Sequence, residues 1–434
     1  MSRIMLIVCL VCLTPVMFLF PQSESDSSPV ALKLDLPLFF LPYQIDTAKI
    51  PDYNFFYSYT HPDMGASLAI TSDMYSSFHF GMNKLQGVMG RDVFWKKLIY
   101  YGGVAAGDFL LFYLPTGYIW MHESFHRAGF THMGVRSHIN FAFPVGAYTM
   151  PDSDGDVYKY DYTRTIEAGM ESEFLLVEKM QRNNFFYDQG MFNEFLYWLA
   201  NLQAWGYAYM PFQQEGKTMI VEGKEQEVSA DSLQWAYYLF YEEDSSTELE
   251  DDEVIGISDL KDSEKEFLKS RVMWSLVNFA SPMMFGIRSL PLVAGFSGNF
   301  ALRQFYTSFG TDLSVNVYLK KAPFNLAFSY HSYINYEHYF PAIEAELIDF
   351  PVQFTPKFGL LLSPRVLLGM QPRNQEFMTG APEFFALAGC RADFDVSRHF
   401  LPYLELSAKT DGWVAGNEFL ERNVSVKAGI SVRF

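Results

Sequence analysis

The closing stretch, Asn423-Val424-Ser425-Val426-Lys427-Ala428-Gly429-Ile430-Ser431-Val432-Arg433-Phe434, decides the fold class. Apolar Val424, Val426, Ala428, Ile430, Val432 and Phe434 alternate without a break with Asn423, Ser425, Lys427, Gly429, Ser431 and Arg433. Successive side chains on a strand point to opposite faces, so this period of two predicts a β-strand with one apolar and one polar face. The same pattern recurs upstream. Leu313, Val315, Val317 and Leu319 alternate with Asp312, Ser314, Asn316, Tyr318 and Lys320. A turn at Ala322-Pro323 then leads into Phe324, Leu326, Phe328 and Tyr330, which alternate with Asn325, Ala327, Ser329 and His331. Ala386, Ala388, Cys390, Ala392, Phe394 and Val396 likewise oppose Arg391, Asp393 and Asp395.

From about residue 297 onward, roughly eight such segments of about ten residues each fit a small antiparallel β-barrel, and their length suits a tilted bilayer crossing. In a membrane barrel the apolar face meets lipid and the polar face lines the lumen; a soluble sheet reverses this. A perfectly alternating last strand that ends on an aromatic residue resembles outer-membrane barrel proteins, whose terminal Phe belongs to an insertion signal. That resemblance covers about the last third of the chain and implies a membrane partner.

The other end agrees with export. Arg3 precedes an almost wholly apolar run, Ile4 to Phe20, and polar residues follow from Gln22. This is the order of regions in a secretory signal peptide, here residues 1–22, with an uncleaved anchor as the alternative. The expected location is the bacterial outer membrane, with the active region in the periplasm. Two of the three Cys, Cys9 and Cys12, fall inside the signal, which leaves Cys390. No intramolecular disulfide is then available, and any metal must be held by His and carboxylates. A net charge of −18 in 434 residues argues against nucleic acid, which needs a basic face to release counterions. The 18% aromatic content suits apolar surface at a membrane interface.

Between these ends the expected class is α+β: a helical middle region followed by the barrel. Residues 23–95 form a lead-in of unassigned structure, residues 96–292 a helical region, and residues 297–434 the barrel. Tyr162 to Asn183 and Asn193 to Met210 are long enough for helices, and the acidic stretch 242–266 reads as a solvated loop. Asp108 and Pro115 interrupt the apolar run after Gly103, which is long enough for a membrane helix but, with Asp108 in it and a barrel to follow, reads as a buried core helix.

The chemistry concentrates in one segment, Gly117-Tyr-Ile-Trp-Met-His-Glu-Ser-Phe-His-Arg-Ala-Gly129, followed by Phe130, Thr131 and His132. Residues four apart share a helix face, so His122 and His126 would aim two imidazoles at one point, with Glu123 beside them. A zinc hydrolase needs two such nitrogens, a third ligand and an open position for water, with a carboxylate to take the proton. HESFH resembles the zincin metalloprotease motif, and HESFHRAGFTH resembles the longer HExxHxxGxxH pattern of metzincins. The resemblance covers only this segment. It implies Zn²⁺ held by His122, His126 and His132, Glu123 as general base, a chain reversal at Gly129, and Met150 as a candidate for the Met-containing turn. The substrate would be a peptide or protein.

A rival third ligand is a carboxylate from the next helix: Glu171, whose neighbours Ala168 and Gly169 allow a close helix approach, or Glu167, Glu173 or Glu178. Glu171 could instead orient one of the histidines. Asp152-Ser-Asp-Gly-Asp156 reads as a polar turn. Two further readings stay open. One is a non-enzymatic barrel (pore, adhesin or structural element) with a fortuitous HExxH. The other is a zinc hydrolase acting on a cell-wall or lipid amide.

Overall fold

A computed structural model describes residues 32–44, 61–89, 93–113, 117–141, 146–152, 156–157, 159–187, 192–221, 224–241, 247–248, 255–355, 358–397 and 399–434. The signal segment 1–22, residues 242–246 and 249–254 of the acidic stretch and the centre of the Asp152–Asp156 turn lie outside the described residues.

The lead-in contributes strand β1 (Lys33–Gln44) and helix α1 (Met64–Met89). Helices α2 (Phe94–Tyr113) and α3 (Tyr118–His132) follow, then a hairpin of β2 (Ser137–Phe141) and β3 (Ala147–Pro151). The short strand β4 (Asp156–Val157) precedes α4 (Lys159–Tyr187) and α5 (Phe192–Gln213). Next come the β5–β6 hairpin (Thr218–Val221, Lys224–Glu227), α6 (Asp231–Phe240), β7 (Thr247–Glu248), which pairs with β4, and α7 (Asp262–Trp274). Helix α7 includes Asp262 to Glu266, where the acidic pattern predicts a solvated loop. Lys261 and Glu264 explain this: the Glu264 carboxylate accepts from the Lys261 backbone N–H and fixes the helix start.

The remaining strands are β8 (Leu290–Pro291), β9 (Ser297–Thr307), β10 (Gly310–Lys321), β11 (Phe324–Ile334), β12 (Tyr339–Leu347), β13 (Phe350–Thr355), β14 (Phe358–Pro372), β15 (Pro382–Asp395), β16 (Phe400–Lys409) and β17 (Asn423–Arg433). They join β1 in one antiparallel sheet of 11 strands, ordered β1-β17-β16-β15-β14-β12-β11-β10-β9-β8, with β13 also on β14. Val315 pairs with Tyr330 and Asn316 with Ser329, as the alternation requires.

The sheet does not close into the barrel of about eight strands that the sequence suggests. Two things account for the difference. The lead-in strand β1 adds itself to β17, with a register shift between Pro37 and Phe39. Helices pack at both ends of the sheet: α1 lies against β1, while α4 and a 3₁₀ turn at Ser275–Phe279 lie against β9, beside the two-residue edge strand β8. The sheet still curls around α4. A cavity of about 380 Å³ is lined by Lys179 and Arg182 of α4 together with Asp35 of β1, Asp312 of β10, Arg391 of β15 and Lys427 of β17.

The curl places polar side chains inside and apolar ones outside. Ser314 is 0% exposed while its neighbour Val315 is 41% exposed. Asp312, Asn316, Ser329, His331 and Asp393 are buried, whereas Leu36, Phe328, Ile343, Val366, Leu368, Leu404 and Leu406 face outward. Several buried charges are paired: Arg365 holds Glu344 through two nitrogens, and Arg391 bridges Asp35 and Asp393. Helix α2 too turns Phe94, Trp95, Leu98, Ile99, Phe109 and Leu110 outward, so it is not the buried core helix expected. Its Asp108 is buried and bonded to His79 of α1.

Candidate metal centre

Helix α3 is held by packing on both sides of its motif. Met121, Phe125 and Ala128 are buried against Ala168, Leu176 and Val177 of α4 and Leu196 and Tyr197 of α5. Small residues set the distance between α3 and α4. A β-carbon on Gly129 would stand 2.4 Å from Thr165 Oγ1. One on Gly169 would stand 2.3 Å from His126 Nε2 and 2.6 Å from His122 Nε2. Glycine at 169 therefore opens the space in front of both imidazoles.

Three acceptor atoms converge in that space. His122 Nε2 and His126 Nε2 lie 3.2 Å apart. Asp231 Oδ2, from the first turn of α6, lies 2.8 Å from the former and 3.1 Å from the latter. The far side of each ring is already engaged. His122 Nδ1 lies 3.1 Å from Glu173 Oε1, and His126 Nδ1 lies 2.7 Å from the Thr165 carbonyl oxygen. A carbonyl can only accept, so His126 Nδ1 donates and its Nε2 presents a lone pair. Glu173, when ionised, fixes the same tautomer in His122. Two lone pairs and a carboxylate would repel one another unless a proton or cation sits among them.

The donor set fits zinc. Ligands about 2.0–2.1 Å from a tetrahedral zinc stand about 3.3 Å from each other, close to the observed triangle. Carboxylate and carbonyl partners on the outer ring nitrogens are the supports such ligands ordinarily have. The same contacts favour protons on the imidazoles. Burial opposes charge on His122, but hydrogen bonds to Asp231 and Glu173 outweigh it and hold its pKa well above the usual imidazole range. Burial alone would raise Asp231; the charge of His126 and the hydrogen bonds from both histidines hold it far below the usual carboxylate range.

Glu123 is buried beside the pair and contributes to the electrostatics of both imidazoles. Thr149 of β3 donates to its Oε2 at 2.8 Å, so the β2–β3 hairpin positions this carboxylate. Tyr207 of α5 sets its ring edge-on to His122, with centroids 5.1 Å apart. Burial, then the Asp231, Glu123 and Glu173 carboxylates, hold its phenol well above the usual range, so it stays a proton donor.

Comparison with family models and with curated proteins returns no match.

His132 does not join His122 and His126. The metzincin-like reversal at Gly129 is absent: α3 continues through Gly129 to His132, and the first positive φ comes at Gly134. Six residues beyond His126 on an unbroken helix is a third of a turn off its face. His132 instead lies 3.2 Å from Glu421 Oε2. Glu171 and Glu167 are also elsewhere, in a buried cluster with Arg164. Glu171 accepts from the Gly416 N–H and Glu167 from Trp413 Nε1. Glu178 faces Arg182. Glu173 takes the orienting role that the sequence reading considered for Glu171. Met150 pairs across the hairpin with His138. Asp231, Thr149, Thr165 and Tyr207 carried no sequence signal: each is a single polar residue on an element remote from the motif.

Proposed function

We propose that this chain is a zinc-dependent, membrane-associated hydrolase that cleaves peptide bonds, with His122, His126 and Asp231 as metal ligands and Glu123 as general base. The carrying observation is the convergence of two imidazole Nε2 atoms and one carboxylate oxygen, with the outer ring nitrogens tied to Glu173 and Thr165. Bound zinc would supply Lewis acidity, polarising a carbonyl and making water a nucleophile near neutral pH. The protein's own residues do the rest. Glu123, held by Thr149, takes the proton from the attacking water and returns it to the leaving amine. Tyr207 offers a phenolic hydrogen to the oxygen on which negative charge develops. Two imidazoles and a carboxylate also suit ferrous iron. The Glu123 base at their side favours hydrolysis, and metal analysis separates the two.

Membrane association rests on the sheet, whose polar side chains are buried and whose apolar ones face outward, the polarity of a lipid-facing sheet. The location proposed is the bacterial outer membrane of an exporting cell, with the metal centre on its periplasmic side. In the alternative, a non-enzymatic membrane protein, protons rather than zinc would hold this triangle together, and metal content separates the two. The test is metal content and turnover of the purified chain on a peptide library. About one zinc at this centre, with turnover abolished by Glu123→Gln and zinc retained, is expected. A chain that folds and keeps its shape in chelator, with no zinc in any preparation, refutes the reading.

A further inference from the structure

We infer that the chain carries a second divalent-cation site, formed by His132 at the end of α3, Asp161 in the first turn of α4 and Glu421 in the loop before β17. These side chains each bring one ligand atom within 4.8 Å of the other two. They come from three distant parts of the sequence, so their meeting is a product of the fold rather than of local chain geometry.

The orientation of Glu421 points to a shared centre rather than a simple ion pair. Its Oε2 lies 3.2 Å from His132 Nε2, a distance suited to a hydrogen bond. That oxygen is buried, although the Glu421 side chain as a whole is 36% exposed. A divalent cation bound between them would engage the imidazole nitrogen and the carboxylate oxygen together. Phe419, buried in the same loop, holds the His132 ring edge-on at 4.3 Å between centroids. A ligand with a fixed ring and two nearby carboxylates is prepared for a cation. One imidazole with two carboxylates is a harder donor set than two imidazoles with one, so it suits zinc or manganese.

The position suggests what the cation does. The loop from Thr410 to Arg422 already ties the sheet to α4: Trp413 bonds Glu167, Gly416 bonds Glu171, and the Asn417 carbonyl accepts from Arg164. The second cation adds α3 to this clamp. It also abuts the first centre. Asp161 lies one helical turn before Thr165, whose hydroxyl donates to the Asp161 carbonyl oxygen and whose own carbonyl orients His126. The site is therefore structural, and its own ligands do not depend on the hydrolase reading.

Zinc and manganese stoichiometry of the full chain tests it. Wild type is expected to bind two equivalents. Glu421→Gln and Asp161→Asn, near-isosteric changes, should each remove one equivalent and leave the one lost in His122→Ala. Losing the second equivalent should also weaken zinc at the first centre several-fold. The proposal is overturned if wild type binds a single equivalent that only His122→Ala removes, or if both carboxamide variants keep two. Where a variant fails to fold, the wild-type stoichiometry alone decides. A chain that loses an equivalent in Glu421→Gln but none in His122→Ala would uphold this site and refute the hydrolase centre.

Discussion

Gly169 faces His126 so closely that a β-carbon there would stand 2.3 Å from the imidazole Nε2. Gly169→Ala should therefore fill the place where the ligand atoms converge. Overpacking of this kind costs about 1–3 kcal/mol. The larger effect should be on metal: at least about tenfold weaker zinc binding, equivalent to about 1.4 kcal/mol. Competition with a chromophoric chelator measures it, and unchanged affinity would remove Gly169 from the site.

Asp231 and His132 offer a direct contrast. Asp231→Ala should weaken zinc at the first centre by about 100-fold or more, beyond the 10–100-fold typical of lost outer partners. Glu173→Gln should fall within that range, because it removes only the support of His122. His132→Ala should keep the first centre filled. Titrating the variants with zinc ranks them, and the reverse order for Asp231 and His132 would restore the metzincin-like ligand set.

Proton and metal compete for the same nitrogens. Burial opposes charging His122, yet its hydrogen bonds to Asp231 and Glu173 raise its pKa well above the ordinary 6.5. A folded-state pKa above the unfolded one adds stability that is complete below the unfolded value and lost as pH rises through the folded value. The metal-free chain should thus lose Tm as pH rises above neutrality. Zinc requires unprotonated Nε2, so its apparent affinity should strengthen over the same range, by up to about tenfold per pH unit for each proton released. Thermal scans with chelator and with zinc, from about pH 6 to pH 8, should show opposite slopes.

The sheet gives a separate test of the membrane reading. Val315 faces outward between buried Ser314 and Asn316. Val315→Arg should cost about 2–4 kcal/mol if this position lies near the bilayer midplane. A surface change on a water-exposed sheet would stay within about 0.5 kcal/mol. Unfolding titrations in lipid vesicles distinguish the two.

Local periodicity was legible and long-range assembly was not. The spacing of His122 and His126 places their rings together, and the alternation from Leu313 to Lys320 marks a two-faced strand. The Ala168-Gly169 pair was readable as a close helix approach, and it is where α4 meets α3. Strand β1 was unreadable because Pro37 and Pro42 break its pattern and its partner lies at the far end of the chain. Asp231 was unreadable for a related reason. One carboxylate in an ordinary helix start reaches the two imidazoles only because α6 packs on α4. Gly129 misled, since a glycine that permits a turn can equally permit close packing, and here Thr165 occupies the space.

The most direct test is an anomalous difference map at the zinc absorption edge, from crystals of the full chain. The arrangement described here predicts a strong peak bounded by His122 Nε2, His126 Nε2 and Asp231 Oδ2, beside Gly169. A filled map with no peak in that triangle, or a zinc there completed by His132 instead of Asp231, would contradict it.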